Sequence, residues 1–177
     1  MVLEMTTKLL LKARRFSVER RTITRPGKKP VTRDVVVHPG AVVILPILHD
    51  GRIVLVRQIR RSVDEELLEL PAGTLEPEEE PIDAAKRELE EETGFRAQRI
   101  EPFIEFYPSP GVLTERMYAF VATELTHIGQ RLDESEEIEV EVLAAESVRR
   151  MLASGEFCDG KTIATLGTWF ARNGLTR

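Results

Sequence analysis

The segment from Gly73 to Phe95 constrains the fold of this chain more than any other stretch. It contains a loop rich in glutamate, then a proline, then a run without glycine that ends at Gly94. Pro81 fits the first turn of a helix, where a missing N–H leaves no hydrogen bond unmade. Gly94 fits the left-handed residue that commonly ends a helix. The segment therefore predicts a helix from Pro81 to Thr93 that follows a loop.

Three glutamates of this predicted helix share one face. Glu88, Glu91 and Glu92 are spaced i, i+3 and i+4, so their side chains are neighbours. Like charges at this spacing cost about 0.2–0.5 kcal/mol per pair, unless a cation compensates. Mg²⁺ selects such clusters of hard carboxylate oxygens, and waters and substrate phosphates complete its shell. The alternative is a solvated acidic face. An apolar stripe adjoins the acids: Ile82, Ala85 and Leu89.

The same segment resembles the Nudix box. The box reads Gly, five residues, Glu, seven residues, Arg-Glu, an apolar residue, any residue, Glu-Glu, any residue, Gly and an apolar residue. The matching positions here are Gly73, Glu79, Arg87, Glu88, Leu89, Glu91, Glu92, Gly94 and Phe95. The resemblance implies an α/β fold, an α/β/α sandwich around a mixed sheet. It also implies a loop-helix-loop that binds Mg²⁺ or Mn²⁺, and hydrolysis of a nucleoside diphosphate linked to another group.

The resemblance further implies which residues hold the metal. In the family the carbonyl just before the box glycine is a ligand, and the box glutamates supply carboxylates. The implied ligands here are the carbonyl of Ala72 and the side chains of Glu88, Glu91 and Glu92, and Glu91 is also a candidate catalytic residue. We expect Arg87 to pair with Glu79 or Glu91 and to hold the loop against the helix, since such charge-assisted pairs are stiff.

Three residues outside the box are candidates for substrate binding: Arg60, Arg33 and Pro110. Arg60 ends a Gln-Ile-Arg step that resembles a segment of ADP-ribose pyrophosphatases with a phosphate-binding arginine; the alternative is a strand-end arginine paired with a nearby acid. A guanidinium at Arg33 would suit a pyrophosphate, although charge on an exposed ribbon also protects its edge. Pro110 stands where ADP-ribose pyrophosphatases carry a proline.

The acidic stretch before Ile138 is the candidate source of a general base. Its Asp-Glu-any-Glu pattern resembles the loop that carries the base in ADP-ribose pyrophosphatases. Glu134 is the first candidate and Glu136 the second. A base must come within hydrogen-bond reach of the attacking water, which a loop can provide. The alternative is a solvated acidic loop.

The remaining pattern predicts strands, two further helices and an N-terminal ribbon. Residues 41–48 and 52–58 flank an Asp-Gly turn and should form a hairpin, and further strands are expected at 67–71, 100–107, 116–124 and from 138. Helices are expected at 145–154 and 159–172, with Trp169 in the core. Residues 1–38 should form an antiparallel β ribbon, and residues 39–177 the Nudix hydrolase domain. By resemblance, the ribbon builds a homodimer and part of the substrate site.

Composition restricts the function class. The chain has 177 residues and a net charge of −5, which argues against nucleic acid or an anionic membrane as its main partner. The longest apolar run is far shorter than a membrane span, and no signal peptide is visible, so we expect a cytoplasmic protein. The single cysteine, Cys158, is expected to serve packing.

These observations together predict an enzyme. We expect Mg²⁺- or Mn²⁺-dependent hydrolysis of the pyrophosphate bond of ADP-ribose or a related nucleoside diphosphate sugar, which gives a nucleoside monophosphate and a sugar phosphate. Two alternatives stay open. One is a Nudix hydrolase of dinucleoside polyphosphates or oxidised nucleoside triphosphates. The other is a Nudix-fold module that binds nucleotides without catalysis.

Overall fold

The computed structural model describes residues 4–132 and 137–173 and contains ten strands and three helices in those ranges. The strands are β1 (Glu4–Lys12), β2 (Ser17–Thr24), β3 (Val31–Val37), β4 (Ala41–Pro46), β5 (Arg52–Arg60), β6 (Glu65–Glu69), β7 (Ala72–Thr74), β8 (Phe95–Phe106), β9 (Met117–His127) and β10 (Ile138–Ala144). The helices are α1 (Pro81–Thr93), α2 (Ala145–Ser154) and α3 (Gly160–Arg172). No helix in the described part is long and apolar enough to span a bilayer.

The strands form three sheets. One has four strands in the order β7-β4-β9-β8; β4 and β9 run parallel and the other pairs antiparallel, so this sheet is mixed. The second is antiparallel with the order β10-β5-β6, and the third is the N-terminal sheet β1-β2-β3. The chain reverses at Asp50-Gly51 between β4 and β5, as the sequence predicts. The two strands lie in different sheets, however, so the predicted hairpin is limited to the turn and a bridge between Ile47 and Ile53.

β4 lies at the centre of the molecule, because all six of its residues are buried. Its side chains alternate between two cores. Val42 and Ile44 pack in the cluster that contains Leu89 of α1. Val43 and Leu45 pack in the cluster that contains Val148 of α2 and Leu166 of α3. Helices therefore cover both sides of the central layers, and the predicted α/β/α sandwich with a mixed sheet is confirmed.

Helix α1 has the predicted bounds. Pro81 occupies its first turn, and Gly94 ends it with a φ of 70° and donates its N–H to the carbonyl of Glu90 at 3.0 Å. Ala85 and Leu89 are buried, whereas Ile82 is 36% exposed and contributes less to the core than its place in the apolar stripe predicts. The packing of α1 against β4 thus fixes the position of the glutamates on this helix.

The N-terminal ribbon is antiparallel and has three strands. The chain reverses between β1 and β2 at residues 13–16, where the N–H of Ala13 donates to the carbonyl of Phe16 at 2.9 Å. The four residues are Ala-Arg-Arg-Phe, which include neither glycine nor proline, so the usual turn signal is missing. The turn between β2 and β3 contains Pro26 and Gly27, and Gly27 has a φ of 71°.

The N-terminus of α3 is fastened to the end of β6. The Leu70 N–H donates to Oγ1 of Thr162 at 2.9 Å, and this hydroxyl in turn donates to Oδ2 of Asp159 at 2.6 Å. Asp159 also caps the helix, since its Oδ2 accepts the Thr162 N–H at 2.9 Å. Thr162 is completely buried. One hydroxyl therefore satisfies a buried backbone donor and fixes the position of the helix.

Replacement of Thr162 by valine should destabilise the protein. The buried N–H of Leu70 would lose its acceptor, which costs about 1–3 kcal/mol of unfolding free energy. Thr162→Ser keeps the hydroxyl and should retain most of the stability. Urea unfolding followed by circular dichroism measures both variants. Equal stability of Thr162→Val and the wild type would contradict this account of the α3 anchor.

Candidate active site

A cleft of about 1040 Å³ lies beside the acidic face of α1. One side consists of α1 and the β7 loop, with Glu88, Glu91 and Glu92 on the helix. The ends of β5 and β6 and the N-terminus of α3 also contribute to the lining. Arg14 and Arg15, from the turn between β1 and β2, belong to it as well. Acidic and basic side chains therefore line the same cleft.

Gly73 permits the closest approach in this site. Its Cα lies directly against the side chain of Glu88, and a Cβ at position 73 would overlap the Glu88 carboxylate. The φ of Gly73 is not in the left-handed region, so the requirement for glycine is one of space. The first glycine of the box therefore makes room for its central glutamate.

Arg87 holds the loop and the acidic face together. Its Nε and Nη2 donate to the two carboxylate oxygens of Glu79, both at 2.9 Å. Its Nη1 donates to Glu88 at 2.7 Å and to Glu91 at 3.2 Å. The hydrogen bond from Arg87 lowers the pKa of Glu79, and the same contact raises the pKa of Arg87. The predicted pairing is confirmed, and it includes Glu88 as well.

Glu92 connects α1 to β7. Its carboxylate is 5% exposed and accepts the N–H of Ala72 at 2.9 Å. Because this donor belongs to the residue before Gly73, the bond draws the end of β7 against the helix. Ala72, the implied carbonyl ligand, lines the cleft beside Glu92.

The donor set of this wall suits a hard divalent cation. Three carboxylates and the residue that precedes the box glycine line one cleft, and oxygen ligands are what Mg²⁺ and Mn²⁺ prefer. Glu91 is the most open of the three, with 42% of its side chain exposed, against 13% for Glu88. In residues 4–132 and 137–173 no three Asp, Glu, His or Cys side chains stand close enough to form a ready-made ion cage.

A second group of charged side chains also lines the cleft: Arg60, Glu69, Asp159 and Lys161. Glu69 is completely buried and accepts two hydrogen bonds from Arg60, at 2.8 and 2.6 Å, and one from Nζ of Lys161 at 2.5 Å. Lys161 also lies 2.9 Å from Oδ1 of Asp159. Two cations and two anions thus balance each other, as buried charges require.

The surroundings shift the pKa of two members of this group. Burial alone lowers the pKa of Arg60, but its hydrogen bonds to Glu69 and the charges of Glu69 and Glu92 outweigh burial and raise it. Burial raises the pKa of Asp159, but the charge of Lys161 and the hydrogen bonds from Thr162 outweigh it and lower the pKa. Both groups therefore stay charged at neutral pH.

The structure places the predicted substrate residues unequally. Arg60 lines the cleft and pairs with Glu69, so the expected ion pair is confirmed, and its contact with a phosphate stays a prediction. Arg33 is exposed on β3, donates to the carbonyl of Thr32 at 3.0 Å and lies outside the cleft lining. Pro110 is exposed and outside the lining as well, although Pro108 of the same loop belongs to it. Their roles stay predictions.

Glu134 and Glu136, the candidate bases, lie outside the described residues.

The structure tests the expectations for Trp169 and Cys158. Trp169 packs partly buried against the core, as expected. Cys158 is exposed in the cleft wall, so the packing role expected for it was wrong.

Sequence reasoning missed the residues that only folding brings to the cleft. Glu69 alternates with apolar neighbours as a surface residue would, and Lys161 stands in a segment read as a helix start. Arg14 and Arg15 belong to a dispersed set of basic residues. None of the four has a local pattern that separates it from its neighbours, so no sequence signal was available.

A family model described as the NUDIX domain matches residues 37–166. The chain belongs to the Nudix family. This match confirms the resemblance of the segment from Gly73 to Phe95 to the Nudix box. It also extends beyond the box, from the end of β3 into α3.

Several relatives cover most of the chain. An ADP-ribose pyrophosphatase of Bacillus subtilis is 40% identical over 139 residues, which are 77% of this chain and 75% of the relative. A methanol dehydrogenase activator of Bacillus methanolicus is 35% identical over 140 residues, 78% of this chain and 76% of the relative. A GDP-mannose pyrophosphatase of Salmonella typhimurium is 36% identical over 137 residues, 72% of this chain and 71% of the relative.

A solved structure confirms the fold. The crystal structure of an ADP compounds hydrolase matches with a TM-score of 0.83 over 98% of this chain and 97% of its own chain. Its sequence identity is 22%, so this likeness supports the architecture alone.

Replacement of Gly73 by alanine should weaken binding of a divalent ion. The new Cβ would displace the Glu88 carboxylate. We therefore expect the affinity for Mn²⁺ to fall about 10- to 100-fold, the range seen when a residue that supports a metal ligand is mutated. Titration with Mn²⁺, followed by electron paramagnetic resonance, measures the affinity.

The matched control is Gly167→Ala. Gly167 lies in α3, and a Cβ there meets no atom within 4 Å. This variant should bind Mn²⁺ as the wild type does and gain up to about 1 kcal/mol of helix stability. Unchanged Mn²⁺ affinity in a folded Gly73→Ala protein would show that the approach to Glu88 is not required.

Proposed function

We propose that this chain hydrolyses the pyrophosphate bond of ADP-ribose or a related nucleoside diphosphate sugar and releases a nucleoside monophosphate and a sugar phosphate. The observation that carries the proposal is the lining of one cleft, which combines the carboxylates of α1 with Arg60 and Lys161. A diphosphate is the group that needs both, a cation bound by the acids and direct contact with fixed cations. The relatives from Bacillus subtilis and Salmonella typhimurium, an ADP-ribose pyrophosphatase and a GDP-mannose pyrophosphatase, support the substrate class.

Glu88, Glu91 and Glu92, with the carbonyl of Ala72, would hold Mg²⁺ or Mn²⁺. When bound, such an ion neutralises the diphosphate and lowers the pKa of the attacking water. The chain's own residues bind and orient the substrate and remove the proton from the attacking water. Arg60 binds a phosphate oxygen with N–H donors that Glu69 does not occupy, since a guanidinium has five. Glu69 and Lys161 keep its orientation. We assign proton removal to Glu134, or to Glu136, with Glu91 as the third candidate.

Glu92→Gln should abolish most of the activity without loss of the fold. The amide oxygen can still accept the Ala72 N–H, so β7 stays in place, while the charge that attracts a cation is gone. We expect kcat for ADP-ribose to fall by at least about 100-fold. AMP and ribose 5-phosphate are measured by chromatography, with Mg²⁺ and with EDTA.

Glu90→Gln is the matched control. Glu90 lies on the same helix but pairs with Arg96 outside the cleft, with Nε and Oε1 at 2.6 Å. The same chemical change should leave kcat within about twofold, the range expected of a surface substitution. If Glu92→Gln turned over at the wild-type rate, or the wild type were indifferent to EDTA, the proposed chemistry would be wrong.

We also propose that the chain acts as a homodimer through its N-terminal sheet. β1 is exposed along its whole length and pairs only with β2 in the described part of the chain. Met5 and Leu9 stand on one face of it, each 56% exposed. Residues 1–38 also carry ten Lys and Arg against three acids, in a chain that is acidic overall. An apolar edge strand and opposite charges favour association.

Leu9→Asp should shift the protein toward monomers, because it places a charge in the proposed apolar interface. Multi-angle light scattering measures the molar mass. Ala153→Asp, which adds the same charge at the exposed end of α2, should leave the mass unchanged. A wild-type protein that is monomeric at high concentration would contradict the dimer.

A further inference from the structure

Gln58 carries an unusual polar group for its position. Its Nε2 atom is buried and has no hydrogen-bond partner within residues 4–132 and 137–173. A buried amide donor without an acceptor costs free energy in the folded protein, and nearly all such groups in native structures are paired. Oγ1 of Thr165, inside α3, is the other such atom in the described chain. Only Gln58 lines the cleft.

Gln58 lies on β5, the middle strand of the sheet β10-β5-β6. It stands two residues before Arg60 on β5, so both side chains point to the same face of the strand. Its backbone is opposite Leu67 on β6 and Ile138 on β10. The Ile138 carbonyl is tied to the end of α1, since Nε2 of Gln130 donates to it at 3.3 Å and to the carbonyl of Glu92 at 2.7 Å.

This location assigns a ligand chemistry. Gln58 lines the same cleft as Arg60 and the carboxylates of α1, so its neutral donor suits an oxygen acceptor that Arg60 and a cation held by those carboxylates would also contact. In the proposed substrate class, the group with that property is the diphosphate. A hydrogen bond from Nε2 would pair the orphaned donor only when nucleotide is bound.

We propose that Gln58 is a substrate-binding residue that donates a hydrogen bond from Nε2 to a diphosphate oxygen. This inference rests on the proposed function, and it adds to it a residue for which the sequence alone offered no role. The donor contributes recognition of oxygen without adding a charge to the cleft.

Gln58→Met tests the assignment, because methionine keeps the length and volume of the side chain and removes the donor. Without nucleotide, the variant should unfold at the same urea concentration as the wild type or a higher one, since an unpaired donor is gone. KM for ADP-ribose should rise about five- to tenfold, the loss expected for one neutral hydrogen bond, with kcat nearly unchanged.

Thr165→Val is the matched control. It removes the other unpaired buried polar atom, on a helix face away from the cleft. Its stability should change in the same direction as that of Gln58→Met, whereas KM should stay at the wild-type value. A side chain that serves packing alone would give the opposite result at Gln58: lower stability and an unchanged KM. That result would overturn the proposal.

Binding of ADP, measured by calorimetry, separates this inference from the proposed function. ADP contains the diphosphate without a second sugar, so Gln58→Met should weaken ADP binding by the same factor as it raises KM for ADP-ribose. A defect seen with ADP-ribose but not with ADP would place the donor on the distal sugar and overturn the diphosphate assignment. If the wild type bound ADP but hydrolysed no nucleotide sugar, the proposed function would fail while the calorimetric comparison still decided the role of Gln58.

Discussion

The close approach of the Glu88 carboxylate to the Cα of Gly73 is the constraint on which the rest of the site depends. It requires a glycine at the end of β7, because any side chain would occupy the place of the carboxylate. It also brings β7 near enough for Glu92 to accept the Ala72 N–H. The loop, the strand and the helix therefore form one unit.

Electrostatics explains why this unit holds together. Three glutamates on one helix face repel one another, and Arg87 offsets that repulsion by contacts to Glu79, Glu88 and Glu91. A bound cation would do the same from the cleft side. The helix thus keeps a concentration of negative charge that would otherwise weaken it, and this charge is what makes the wall suitable for a metal-bound diphosphate.

The second charged group of the cleft also compensates its charges internally. Glu69 is buried between Arg60 and Lys161, and the desolvation of these charges makes the cluster a weak source of stability but a determinant of geometry. Asp159 belongs to this cluster and, with Thr162, to the anchor of α3, so the packing of the helix and the position of the cluster depend on each other.

The sequence by itself determined helix α1, the turn between β4 and β5, and the pairing of Arg87, because each depends on residues close together in the chain whose spacing and backbone preferences are local properties. Only the tertiary structure decided which distant charges meet. Glu69 and Lys161 are 92 residues apart and have no pattern of their own. The turn at residues 13–16 lacks glycine and proline, so Arg14 and Arg15 gave no sign that they reach the cleft. Contacts between distant residues are set by how sheets and helices pack, and packing depends on the whole chain at once.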